Sequence, residues 1–118
     1  MLDHVAIPVS DLEASRDFYG KALEPLGAQV VMEFPGVTLL GTGDGMVAIR
    51  ESAEIAPVHV AFKADRAGVQ AFYDAAMAAG ASDNGAPGIR SDYHPNYFAA
   101  YVKDPDGHNI EAVSHTPE

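Results

Sequence analysis

Cysteine is absent from this chain, which removes a disulfide framework, a thiolate metal site and a cysteine nucleophile together. Any metal must therefore be held by nitrogen and oxygen. Basic residues are scarce: 7 lysines and arginines stand against 17 acids, a formal charge of −10. That charge repels a phosphate backbone, and no basic or aromatic-basic stripe offsets it along the sequence, so nucleic acid is not an expected partner. No apolar run approaches the ~20 residues needed to span a bilayer, and "MLDHVAIPV" lacks the basic flank and cleavage site of a signal peptide. No membrane partner and a cytoplasmic location are the expectations. What the chain does have is 47% hydrophobic residues in 118, enough for one folded domain around one core.

The sequence repeats itself. "HVAIPVSDLEASRDFYGKALEPLGA" from His4 and "HVAFKADRAGVQAFYDAAMAAGA" from His59 share His-Val-Ala-apolar, a helix cap, Phe-Tyr and Gly-Ala in that order. The turns correspond too, with Asp44-Gly45 matching Asp106-Gly107. Each unit opens with a strand of period-two alternation and continues with a helix capped by Ser10 or Asp65. Leu12, Phe18 or Tyr19, Ala22 and Leu23 mark the buried face of the first helix, and Val69, Phe72, Ala76 and Met77 that of the second; Gly27 and Gly80 are the expected stops. Short strands follow: "AQVVMEF", "GVTLLG" and "MVAIR" in the first unit, then a weak strand or loop, "NYFAAYV" and "HNIEAV" in the second. The reading is an α+β chain of two βαβββ modules, about 1–53 and 57–116, within a single domain 1–118. The second module is longer, and its surplus in "NGAPGIRSDYHPNY" has the composition of a loop that serves as lid or pocket wall.

Alternation assigns faces. Val5, Ile7 and Val9 point to the helices and His4, Ala6 and Pro8 away from them; Val58, Val60 and Phe62 point to the helices and His59, Ala61 and Lys63 away. In the last strand Ile110 and Ala112 share one face and Glu111 takes the other. If the two sheets curve around a common hollow, His4, His59 and Glu111 enter it together. Two imidazoles and one carboxylate hold a divalent first-row metal while leaving positions open for substrate, and the ion compensates a carboxylate withdrawn from water. His94, Tyr97 and Tyr101 are the candidate catalytic acid/base groups, while His108 and His115 are expected at the surface.

The segments "DHVAIPVSDLEASRDFYGKAL", "VHVAF" and "YFAAYVKDPDGHNIEAV" resemble the vicinal oxygen chelate superfamily, which includes glyoxalase I, extradiol dioxygenases, fosfomycin-resistance transferases and bleomycin-resistance proteins. The resemblance implies paired βαβββ modules forming a cupped mixed sheet with helices outside, commonly a homodimer, with His4, His59 and Glu111 at the ligand positions. It implies a divalent metal (Fe, Mn, Ni or Zn) that binds a small-molecule substrate through neighbouring oxygens, in dioxygenase-like or glyoxalase/lyase-like chemistry. The further glutamate that glyoxalase I carries on its fourth strand has no counterpart unless the register of "MVAIRES" brings Glu51 to that place. Bleomycin-resistance relatives imply the alternative, a metal-free dimer that sequesters a drug in the same cup.

Overall fold

The computed structural model describes residues 1–117. The first module runs β1 (His4–Val9), α1 (Leu12–Ala22), β2 (Gln29–Phe34), β3 (Val37–Thr42) and β4 (Gly45–Glu51). The second runs β5 (His59–Lys63), α2 (Arg66–Ala78), β6 (Ser82–Ile89), β7 (Phe98–Lys103) and β8 (Asn109–Ser114). Each makes a four-stranded mixed sheet, in the orders β1-β4-β3-β2 and β5-β8-β7-β6, so the repeat read in the sequence is a repeat of topology. The first and last strands of each sheet pair in parallel, because the helix carries the chain back across.

The periodicities hold. Ile7, Val9, Phe18, Tyr19, Ala22, Val69, Phe72, Ala76, Ile110 and Ala112 belong to one continuous core fed by both modules. The helix starts need one correction. Asp11 caps α1, its carboxylate accepting from Ala14 N, whereas Ser10 is engaged elsewhere: its hydroxyl donates to Asp106 Oδ1 at 2.6 Å. Asp65 caps α2 as expected, with Gly68 N as donor. Gly80 follows the end of α2 in the left-handed conformation, while Gly27 closes a 3₁₀ turn, Glu24–Leu26, inserted after α1.

The segment read as surplus loop is half strand. β6 runs to Ile89 and absorbs its extra residues as two register shifts against β7. Gly85 makes this possible: its φ is +147°, and a Cβ there would lie 2.8 Å from the Tyr101 ring. Ser91 to Tyr97 forms turns, closed at the base by Arg90 N donating to Tyr97 O at 2.7 Å.

His108 is likewise not at the surface. It is fully buried, with Nδ1 accepting from Val58 N at 3.0 Å and Nε2 donating to Pro8 O at 2.6 Å. Pro8 sits on edge strand β1, where its missing N–H leaves no ladder bond unmade. Beside this imidazole Asp104 accepts from the Tyr19 hydroxyl and from the amides of Asp106 and His108. The turn "DPDGH" thus fastens the second module to α1 and β1 of the first.

Candidate functional site

Register defines what shares the helix-free face of the second sheet. One row across it is Ser82, Lys103, Asn109 and His59; the next is Gly85, Tyr101, Glu111 and Ala61; the third is Gly88, Ala99, Val113 and Lys63. His59 reaches diagonally to the neighbouring row and meets Glu111, Nε2 to Oε1 at 2.8 Å. Since a carboxylate only accepts, the proton of this bond sits on the imidazole. The other Glu111 oxygen accepts from the Tyr97 hydroxyl at 2.5 Å. Glu111 is 1% exposed, and these two donors meet both of its oxygens in the interior. The acid aimed into this sheet face thus finds His59 and Tyr97 placed to receive it.

Tyr101 stands in register with Glu111, its ring 6.3 Å from that of His59. Burial raises the pKa of the Tyr97 hydroxyl, reinforced by its bond to Glu111; burial and then the Glu111 charge raise that of Tyr101. Both phenols therefore hold their protons at neutral pH and act as donors. His94 lies one step behind: its Nε2 is 2.8 Å from His115 Nδ1, and its ring meets Tyr97 edge-on with centroids 5.4 Å apart. It contacts the back of Tyr97 and makes no hydrogen bond to Glu111. His115 is exposed, as expected.

His4 is on the other sheet, on the face anticipated, with Ala6 and Pro8. It is exposed, and its Nδ1 meets Asp3 Oδ1 at 2.6 Å. Within one copy the three anticipated ligands do not gather: among the described residues no group of three or more His, Asp or Glu side chains is placed to hold a metal. The fourth strand settles its register as well. Arg50 shares the helix-free face with His4, since Pro8 pairs with Arg50, while Glu51 pairs with Val9 on the helix side and lines an outer recess with Asp11, Glu13 and Arg16 of the α1 region. No carboxylate of β4 joins the helix-free face.

The donor chemistry can be tested against a divalent ion. Two ligands each about 2.1 Å from one ion and at right angles lie about 3 Å apart. The 2.8 Å between His59 Nε2 and Glu111 Oε1 fits two adjacent coordination positions, an ion taking the place of the shared proton.

The model of the glyoxalase/bleomycin resistance protein/dioxygenase superfamily matches residues 1–112. The chain belongs to this superfamily. Among solved structures this glyoxalase-superfamily chain is similar to a glyoxalase/bleomycin resistance protein from Albidiferax ferrireducens T118, with 28% identity, a TM-score of 0.84, and 98% of this chain and 99% of that one covered. An integron cassette protein from the Halifax Harbour sewage outfall metagenome gives 25% identity and a TM-score of 0.75, with 97% of each chain covered. A lactoylglutathione lyase from Agrobacterium tumefaciens, at 18% identity, TM-score 0.75, and 97% and 92% coverage, shares the fold. No curated protein matches the chain. The superfamily contains enzymes and non-enzymes alike, so the reaction rests on the site itself.

Proposed function

We propose that this protein is a divalent-metal-dependent enzyme acting on a small oxygenated metabolite in the cytoplasm, with His59 and Glu111 of one copy and His4 of a second copy as ligands. The observation that carries the reading is the His59–Glu111 contact: a fully buried carboxylate beside a half-exposed imidazole, on a sheet face no helix covers. A homodimer is part of the proposal, because one copy supplies two of the three donors. Half-exposed Val31, Met32 and Phe34 on edge strand β2 supply apolar surface for such an assembly.

A bound ion (Fe, Mn, Ni or Zn suit the donor set) would polarise two neighbouring substrate oxygens as a Lewis acid. Tyr97 orients Glu111 through its hydroxyl, and His94 buttresses the Tyr97 ring. Tyr101, protonated and beside Glu111, is the donor best situated to meet negative charge developing on substrate oxygen. With Ala48 at the β4 position that corresponds to Glu111, and no carboxylate of β4 on the helix-free face, the fourth-strand carboxylate a glyoxalase-type mechanism needs is missing, which favours dioxygenase-like over glyoxalase-like chemistry.

Elemental analysis of protein purified without chelators tests this. One ion per site in a dimer is expected, with none in His59→Ala and a sharply reduced content in His4→Ala. Oxygen uptake with a catechol panel, run beside hemithioacetal isomerisation, separates the chemistries. A second reading, a metal-free dimer that sequesters a drug, is favoured by the separation of His4 from the pair. An ion-free parent after metal supplementation would decide for it.

A further inference from the structure

Arg90 takes no part in the site described above. It follows β6 directly, and its guanidinium lies over the Tyr101 ring, 5.3 Å from the centroid. Nη2 donates to Ala86 O at 2.6 Å, which ties the group down along its own strand. The strand is hollowed to receive it: a Cβ at Gly85 would lie 3.2 Å from Nη2, and one at Gly88 3.0 Å from Nη1. The guanidinium is therefore held in one position above the row that contains Tyr101 and Glu111.

What it lacks is an anion. Arg90 makes no ion pair among the described residues, whereas Arg16 is paired with Glu33. Glu111 is already committed to His59 and Tyr97. The three rows add Lys63 and Lys103 to the same face, with Glu111 as the one acid in those rows. Residues 63, 90 and 103 are far apart in sequence, so no basic stripe is readable there. Folding gathers three of the chain's 7 basic residues onto one side of a sheet in a molecule of formal charge −10. Such local inversion of sign favours an anionic over a cationic small-molecule ligand.

We infer that Arg90 is an anion clamp for the His59–Glu111 face and that the ligand carried there is an organic carboxylate, an inference that rests on this face being the ligand-binding site but not on the metal. A single guanidinium, preorganised by stacking and by one backbone bond, presents the planar fork that matches one carboxylate.

Equilibrium dialysis with salicylate, salicylamide and phenyl phosphate tests it, on the parent, Arg90→Gln and Arg90→Lys, with metal content measured on the same samples. Salicylate and salicylamide share a ring and a hydroxyl and differ in charge. Salicylate is expected to bind the parent at least about tenfold tighter than salicylamide, and Arg90→Gln to weaken salicylate by at least about tenfold, the loss of one charge-assisted hydrogen bond. Arg90→Lys should fall between, keeping the charge and losing the fork. Salicylamide affinity and metal content should not change. Equal affinity for salicylate and salicylamide, no binding of either, or salicylate binding indifferent to Arg90 overturns the inference, and preference for phenyl phosphate overturns the carboxylate assignment. An ion-free parent whose salicylate binding still depends on Arg90 removes the metal reading and leaves the clamp standing.

Discussion

The two modules place corresponding residues differently, and the difference locates the chemistry. His4 pairs across its sheet with Met46 and His59 with Asn109, so the residue two further along the partner strand is Ala48 in the first module and Glu111 in the second. One histidine finds a methyl group where the other finds a carboxylate. The same divergence runs over much of the face: around His4 and Arg50 the first module presents Ala6, Pro8, Met46, Ala48 and Leu39, while the second presents Lys63, Tyr101, Lys103 and Glu111 beside His59. The equivalent tyrosines part in the same way. Tyr19 is fully buried and bonds Asp104 of the other module, while Tyr73 bonds Asp83 of its own. Duplication conserved the backbone geometry that aims each histidine; the neighbours decide what each can do.

The largest expected effect breaks the fastening between modules. Asp104→Ala leaves the Tyr19 hydroxyl and two amides without an acceptor inside the protein, a loss of about 3–5 kcal/mol in urea denaturation. Its first-module counterpart Thr42 caps only the amide of Asp44 at an exposed turn, and Thr42→Ala should stay within about 0.5 kcal/mol. Similar midpoints for the two variants would contradict the asymmetry.

Next in size, Glu111→Ala makes the second module resemble the first. His59 and Tyr97 lose their shared acceptor, at about 1–3 kcal/mol, and bound metal should fall below detection by elemental analysis. Retention of a full complement of metal would remove Glu111 from the ligand set. Tyr19→Phe, which leaves one buried Asp104 oxygen short of a donor, should cost about 1–2 kcal/mol, whereas Tyr73→Phe should leave the midpoint unchanged.

The smallest effect is one of pH. Tyr19, Tyr97 and Tyr101 have raised pKa values in the folded state, chiefly through burial. A raised folded pKa gives stability that is complete below the unfolded value of about 10 and is lost as pH climbs through the folded values. Denaturation midpoints should be flat near neutrality and fall above about pH 10, and Tyr97→Phe should shallow that fall. A midpoint already falling between pH 8 and 9 would point to other groups.

Local physics was legible in the sequence. The helix faces and strand alternation depend on neighbours three, four or two residues away, and they came through with the repeat, including which side of each sheet carries His4, His59 and Glu111. What the sequence withheld depends on distant partners. Ser10 looked like a cap until Asp106, 96 residues on, took its hydroxyl. His108 followed a polar turn and looked solvated, yet Pro8 and Val58 supply both of its hydrogen bonds in the interior. β6 was obscured by its glycines, which the fold uses to admit the Tyr101 ring and the Arg90 guanidinium. The contact between His59 and Glu111 follows from alternation plus register; the remoteness of His4 follows from how the modules sit, which no short-range pattern encodes.

The buried imidazole of His108 has a consequence for recombining such proteins. It reads a backbone carbonyl in one half of the chain and a backbone amide at the opening of the other, so neither partner engages it through a side chain. A chimera joining the front half of a relative to this chain from residue 57 onward should accept wide variation in sequence near position 8. It should not accept a one-residue insertion or deletion in that strand, which would carry the carbonyl out of reach and leave the ring's N–H stranded in the interior.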